Sequence, residues 1–193
     1  SCIAQDSLGF IWFGTQDGLN RFDGYHFEVF KHDHKDTNSL SNNWINTILF
    51  DRDGVLWVGT QNGGLNRIDV DELYRYRIYR FPPFVKKTVP DNVQALYQDR
   101  NGLIWCGIRT GGLATIDPVT LKATLFPTGK SLNKNALIYD LLPDSWIQVI
   151  FEDNEGIFWF GSAKNGLIRY DPEKKRYQQF LNDPFNKNSL RHN

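Results

Sequence analysis

Short apolar runs bounded by polar turn residues recur along the chain, and no stretch of useful length carries the 3.6-residue period of an amphipathic helix. Residues 5–15, 50–60, 98–108 and 152–162 align position for position. Each has an Asp (Asp6, Asp51, Asp99, Asp153), a Gly three residues on, and an apolar run centred on Trp12, Trp57, Trp105 or Trp159, closed by a Gly two residues later. The tryptophans step by 45, 48 and 54 residues. A Gly-Leu pair follows each one (Gly18-Leu19, Gly64-Leu65, Gly112-Leu113, Gly166-Leu167), and then a second Asp (Asp23, Asp69, Asp117, Asp171). A self-similar period of roughly 40 to 50 residues marks propellers and solenoids, whose repeats bury their faces against one another.

Each repeat reads as four antiparallel strands. The β-rich runs before the first Asp (47–50, 95–98, 149–152) form strand A. The Asp-x-x-Gly step is a tight turn: the carboxylate bonds nearby backbone N–H groups and the Gly takes the positive-φ position. Strand B, 10–15 and its equivalents, is apolar at consecutive positions such as Val55-Leu56-Trp57-Val58, so both of its faces must be covered. Trp and the following Gly share one face, because strand side chains alternate, and the Gly leaves room for a neighbour's bulk. The Gly-Leu pair turns the chain into strand C, which ends at the second Asp. Strand D is the aromatic-rich tail at 26–30, 75–81, 122–126 and 176–181. The fold class is all-β, a β-propeller fragment of four four-stranded antiparallel blades at about 1–30, 45–81, 93–126 and 147–181. The long, unequal connections from strand D to the next strand A are 31–44, 82–92 and 127–146, and the last residues, 188–193, echo 38–43 as though a fifth blade were about to open.

The pattern Asp-x-x-Gly-x-(Ile/Leu/Phe)-Trp-x-Gly-Thr, Gly-Leu, Arg-x-Asp resembles the two-component regulator propeller repeat of bacterial hybrid two-component sensors. The resemblance covers nearly the whole chain. Departures are mild: Ile108 and Ser162 replace the Thr, and Thr115 replaces the Arg. The resemblance implies the N-terminal part of a larger sensor ectodomain, lying in the periplasm and anchored in the inner membrane. The signal peptide, membrane span and histidine kinase would then lie outside these residues. It also implies carbohydrate sensing, with an oligosaccharide or another small ligand as partner. The Trp-Gly repeats also look like those of propeller lyases such as streptogramin B lyase, where a His and a Glu near the central channel perform an elimination. A protein-interaction propeller is a third reading. No enzyme activity is expected of the fragment itself, since the four histidines fall in no Ser/His/Asp or Cys/His spacing.

Composition narrows the partners. With 22 basic and 22 acidic side chains, 40% hydrophobic content and no Lys/Arg run, the chain is globular and lacks the electrostatic footprint of a nucleic-acid binder. No apolar stretch is long enough for membrane contact by a spanning segment. The chain opens on Ser1 and contains no Met, as expected of a portion of a longer protein. Cys106, at the strand position held elsewhere by Phe13, Val58 and Phe160, is expected to be a buried thiol. No metal or cofactor is expected: Asp51-Arg52-Asp53-Gly54 lacks the further oxygens of a calcium loop, and His32-x-His34 lacks a third ligand.

Positions identical among the copies build the blade, whereas loop positions that differ are free to specify a partner. In a propeller the B-to-C turns and D-to-A connections share one face. On that face fall Asp17, Asn62, Arg109 and Lys164 from the turns, with Trp44 and Trp146 at the ends of long connections. Aromatic rings beside Arg, Lys and Asn suit a sugar, although the simpler reading of Trp44 and Trp146 is as core residues entering strand A. Apolar outer faces on the end blades are expected to pair with further propeller blades or with a second copy of the chain in a homodimer.

Overall fold

The structure is a computed structural model that describes residues 2–71, 75–81, 92–109, 112–126 and 146–192. The connections read at 82–91 and 127–145 lie outside the described residues. Sixteen strands form four four-stranded antiparallel sheets, with no helix among the described residues. The first holds β1 (Cys2–Gln5), β2 (Ile11–Thr15), β3 (Gly18–Phe22) and β4 (Phe27–Phe30). The second holds β5 (Ile45–Phe50), β6 (Leu56–Thr60), β7 (Leu65–Val70) and β8 (Tyr76–Phe81). The third holds β9 (Val93–Gln98), β10 (Ile104–Ile108), β11 (Leu113–Ile116) and β12 (Ala123–Phe126). The fourth holds β13 (Ile147–Glu152), β14 (Phe158–Ser162), β15 (Gly166–Asp171) and β16 (Arg176–Phe180). Within each sheet the strands are neighbours in chain order, the meander of a propeller blade. The chain divides into two compact units, Ser1–Leu96 and Tyr97–Asn193.

Strand A begins two residues earlier than the sequence pattern suggests. In β5 and β13 the register shifts between Ile45 and Thr47 and between Ile147 and Val149. Such a bulge breaks the period-two pattern by which a strand start is recognised. The second sheet also departs at its C-to-D turn: Asp69 lies within β7, bonded to Arg67 at 2.7 Å, and Asp71 takes the turn instead, accepting the Arg75 N–H at 2.9 Å.

The repeated Asp does more than turn the chain. In every copy one carboxylate oxygen accepts two turn N–H groups, as Asp51 Oδ1 does from Asp53 at 3.1 Å and Val55 at 2.9 Å. The other oxygen accepts the indole N–H of the tryptophan six residues on, at 2.9 Å for Asp6–Trp12 and 2.8 Å for Asp51–Trp57, Asp99–Trp105 and Asp153–Trp159. The brace lets an indole be buried without an orphaned donor, because the polar edge of the ring has a charged acceptor inside its own blade. Across the strand pair the repeat Arg faces the Trp, as Trp12↔Arg21, Trp57↔Arg67 and Trp159↔Arg169; Thr115 stands there in the third sheet.

Blade packing in the first unit follows the shared face of Trp and Gly. Trp12 is 2% exposed and clusters with Leu19, Leu40, Ile45, Leu56, Val58 and Ile68. A Cβ added at Gly14 would stand 2.6 Å from Ile45 Cγ2, and one at Gly59 would stand 2.6 Å from Thr47 Cγ2 and 2.8 Å from Val93 Cγ1. The bare glycine surface is what lets the next strand A approach. β6 and β10 are buried at all five positions, as expected of strand B, whereas β2 and β14 alternate buried with half-buried. In β2 the half-buried residues are Ile11, Phe13 and Thr15; in β14 they are Trp159 and Gly161. Cys106 is fully buried, and burial pushes its thiol up to about 12.

Candidate functional site

In the first unit, backbone bonds gather the B-to-C turns and the 31–44 connection at one end of the sheets. The Gly18 N–H donates to the Asn43 carbonyl at 2.7 Å, and the Gln61 N–H donates to the Trp44 carbonyl at 2.9 Å. The connection is pinned beneath by Asn66, fully buried on β7, whose carboxamide accepts the Ser41 N–H at 2.9 Å and donates to Ser41 Oγ at 2.8 Å. Asp17, Trp44 and Asn62 therefore arise from adjoining loops. Asp17 is exposed and paired with Lys31 at 2.7 Å. Asn62 sits at φ 65°, a left-handed turn position that Asn tolerates. Trp44 is 40% exposed and so is no core residue.

The second unit repeats the device and adds a contact. The Ala163 N–H donates to the Trp146 carbonyl at 2.9 Å, which sets the β14–β15 turn, with exposed Lys164 on it, beside the entry to β13. Arg109, just past β10, lays its guanidinium over the Trp146 ring, Cζ to centroid 4.4 Å. Such a contact is worth about 0.5–1 kcal/mol at an exposed site and more when desolvated. The Trp146 indole N–H is buried and has no partner among the described residues. Two of the six sequence-selected residues, from different sheets, thus meet. The guanidinium covers one face of the ring, and Lys164 stands on the neighbouring turn.

The chain matches the two-component regulator propeller family at residues 39–62 and 141–164, each segment running into a repeat's Trp-x-Gly strand. Two of its four repeats thus match the two-component regulator propeller pattern. Over 39 residues, 20% of this chain and 3% of the other, it is 46% identical to Histidine kinase P4 of Formosa agariphila. Among solved structures it is similar to the extracellular domain of a protein described as a hybrid two-component system of Bacteroides thetaiotaomicron. The TM-score is 0.72 and the identity 24%, over 93% of this chain and 24% of that one. A second extracellular domain from the same organism, described as belonging to a one-component system, gives a TM-score of 0.71 and 25% identity over 92% of this chain and 24% of that one. The chain spans about a quarter of the length of these solved relatives.

Within each propeller repeat the Asp–Trp brace is the feature that the sequence pattern hides, because spacing along a strand does not say that an indole folds back across a turn to a carboxylate six residues earlier. The braces account for both oxygens of all four aspartates. No group of three or more His, Cys, Asp or Glu poised for a metal occurs among the described residues. His32 and His34 lie in the 31–44 connection: His32 Nδ1 is 2.5 Å from the Leu40 carbonyl and its Nε2 is 3.2 Å from His34 Nδ1. His26 is on the exposed β3–β4 turn, 3.9 Å from Asp23.

Proposed function

We propose that this chain is part of the extracytoplasmic sensor of a hybrid two-component system. In this reading it binds an oligosaccharide at the loop end of its blades and passes the binding event to a histidine kinase elsewhere in the longer protein. The observation that carries the ligand reading is the Arg109–Trp146 pair. Arg109 stands where the other copies have Gln16, Gln61 and Ala163, both residues stand at the turn-and-connection end, and the indole N–H is buried with no partner among the described residues, a donor that a hydroxyl oxygen would satisfy. A pyranose offers what such a surface takes, an apolar ring face to stack on the indole and hydroxyls for Arg109 and Lys164. Asp17, Trp44 and Asn62 stand at the corresponding end of the first unit. Calorimetric titration of the soluble ectodomain against neutral and acidic oligosaccharides tests the reading. Binding weakened about tenfold or more by Trp146→Ala and by Arg109→Ala, with an unchanged unfolding midpoint, is the expected result. Silence across the panel would remove sugar as the ligand class.

A further inference from the structure

The connection from β4 to β5 is a built loop. Asp33 accepts the Lys35 N–H at 2.8 Å and Asp36 the Asn38 N–H at 2.8 Å, while Ser39 Oγ accepts the Asp33 N–H at 2.8 Å and donates to the Asp33 carbonyl at 3.0 Å. The second sheet locks it in place. The Asn38 carboxamide accepts the Ile78 N–H at 2.8 Å and donates to the Tyr76 carbonyl at 3.2 Å, and Arg80 donates to the carbonyls of Ser39 at 2.7 Å and Asp36 at 2.6 Å. Within this frame His32 is held twice. Its backbone N–H donates to Asn43 Oδ1 at 2.6 Å, and its ring Nδ1 lies 2.5 Å from the Leu40 carbonyl. A carbonyl only accepts, so Nδ1 carries a proton and the neutral ring keeps its lone pair on Nε2. That nitrogen is 3.2 Å from Nδ1 of the exposed His34.

A second copy of the loop separates scaffold from addition. Residues 182–190 repeat the frame: the Asp183 N–H donates to Ser189 Oγ at 2.9 Å, Asp183 accepts the Phe185 N–H at 3.0 Å, and Asn186 accepts the Asn188 N–H at 3.0 Å. There Asn182 stands for His32 and Pro184 for His34. Asn182 donates to the Leu190 carbonyl at 2.6 Å, so the loop needs a donor at this position and not an imidazole. The second ring is needed even less, since a proline closes the same frame in its place. The two histidines are therefore an addition to the loop, and their convergence calls for a reason other than folding.

We infer that His32 and His34 are a chelating pair for a divalent late-transition-metal ion, and that zinc is the ion their geometry suits best. Neutral imidazole is a preferred ligand of such ions. Two nitrogens 3.2 Å apart, each about 2.0–2.1 Å from one ion, subtend about 100–106°, near the tetrahedral angle of zinc and above the right angle of a square-planar site. The ring centroids are 4.4 Å apart with planes at 77°, so the nitrogens are not lined up head-on as a simple imidazole–imidazole hydrogen bond would have them. The Leu40 carbonyl on His32 Nδ1 is the outer-shell partner that fixes the tautomer and orientation of a ligating histidine. On binding, His34 gives up its Nδ1 proton to solvent and takes one at Nε2, so the neutral pair loses no net proton. The remaining positions of the ion go to water, as in an open site.

Calorimetric titration of the 193-residue chain with Zn2+ tests the assignment, alongside His32→Asn and His34→Ala. His32→Asn installs the residue that the second loop uses, so the bond to the Leu40 carbonyl is kept while the ligand is lost. One equivalent of zinc is expected to bind, shifting the nitrogen-15 resonances of His32 Nε2 and His34 Nδ1 and raising the unfolding midpoint. Each variant is expected to weaken binding about tenfold or more, since loss of an outer-shell partner alone costs that much, and to leave the zinc-free midpoint unchanged. His26→Ala is expected to leave zinc binding as it is, and Mg2+ is expected to bind the chain no better than it binds the variants. Absence of zinc binding, binding equal in the chain and both variants, or binding lost with His26→Ala overturns the inference. Should His32→Asn fail to fold, the unaltered chain decides: zinc bound with the His32 Nε2 resonance unshifted overturns the inference equally.

Discussion

A tryptophan buried in a β-blade brings a polar edge with it, and this chain meets that cost by placing an aspartate six residues earlier. The second copy is the deepest: Trp57 is 0% and Asp51 6% exposed, with the bond between them at 2.8 Å. Asp51→Ala leaves one indole N–H and two turn N–H groups without their acceptor, and unsatisfied buried donors cost about 1–3 kcal/mol each in the most buried cases. A loss of about 3 kcal/mol is expected in urea unfolding. Asp153→Ala, beside the half-buried Trp159, should lose visibly less. The aspartates were legible in the sequence as turn residues, from their spacing to a glycine. Their second duty was not, because it depends on the indole rotamer and on which face of the strand is covered.

The blades stack because one strand presents a glycine where its neighbour presents a branched side chain. At Gly59 an added Cβ would stand 2.6 Å from Thr47 and 2.8 Å from Val93, whereas at Gly161 the nearest atom is Val149 Cβ at 3.4 Å. Gly59→Ala is therefore expected to lower stability by about 1–3 kcal/mol through overpacking. Gly161→Ala should be near neutral, the contrast being read from two thermal unfolding midpoints. Strand identities, the tight turns and the shared face of Trp and Gly were all readable from the repeat, since each is set by residues close in sequence. The bulges in β5 and β13 were not readable, and the early strand starts with them. A bulge is settled by what the partner strand offers, and Asn46, inside the first bulge, spends its carboxamide on Asn92 and the Val93 carbonyl.

Across the whole molecule the turn aspartates also set the response to acid. Backbone N–H groups hold the carboxyls of Asp23, Asp117 and Asp171 below the usual carboxylate range, and the Trp159 indole N–H does the same for Asp153. A folded-state pKa below the unfolded value means that the unfolded chain takes up protons first. The stabilisation is therefore present above about pH 4 and is lost as pH falls through the folded-state values. Urea midpoints should be flat from pH 7 to 5 and fall steeply below pH 4, and Asp23→Asn with Asp117→Asn should flatten that fall.

Sequence alone determined the four-bladed repeat and its turns, because strand alternation, Asp-x-x-Gly turns and a fixed period are local properties that survive in a linear string. It also showed that 188–193 repeat 38–43, and it named the six loop residues free to meet a partner. Only the tertiary structure decided that Arg109 lies over Trp146 and that Asn38 and Arg80 lock a loop to a strand. Those pairings join residues from different sheets, and which loops meet is fixed by how blades pack, through glycine faces and buried rings, and not by anything written next to the residues themselves.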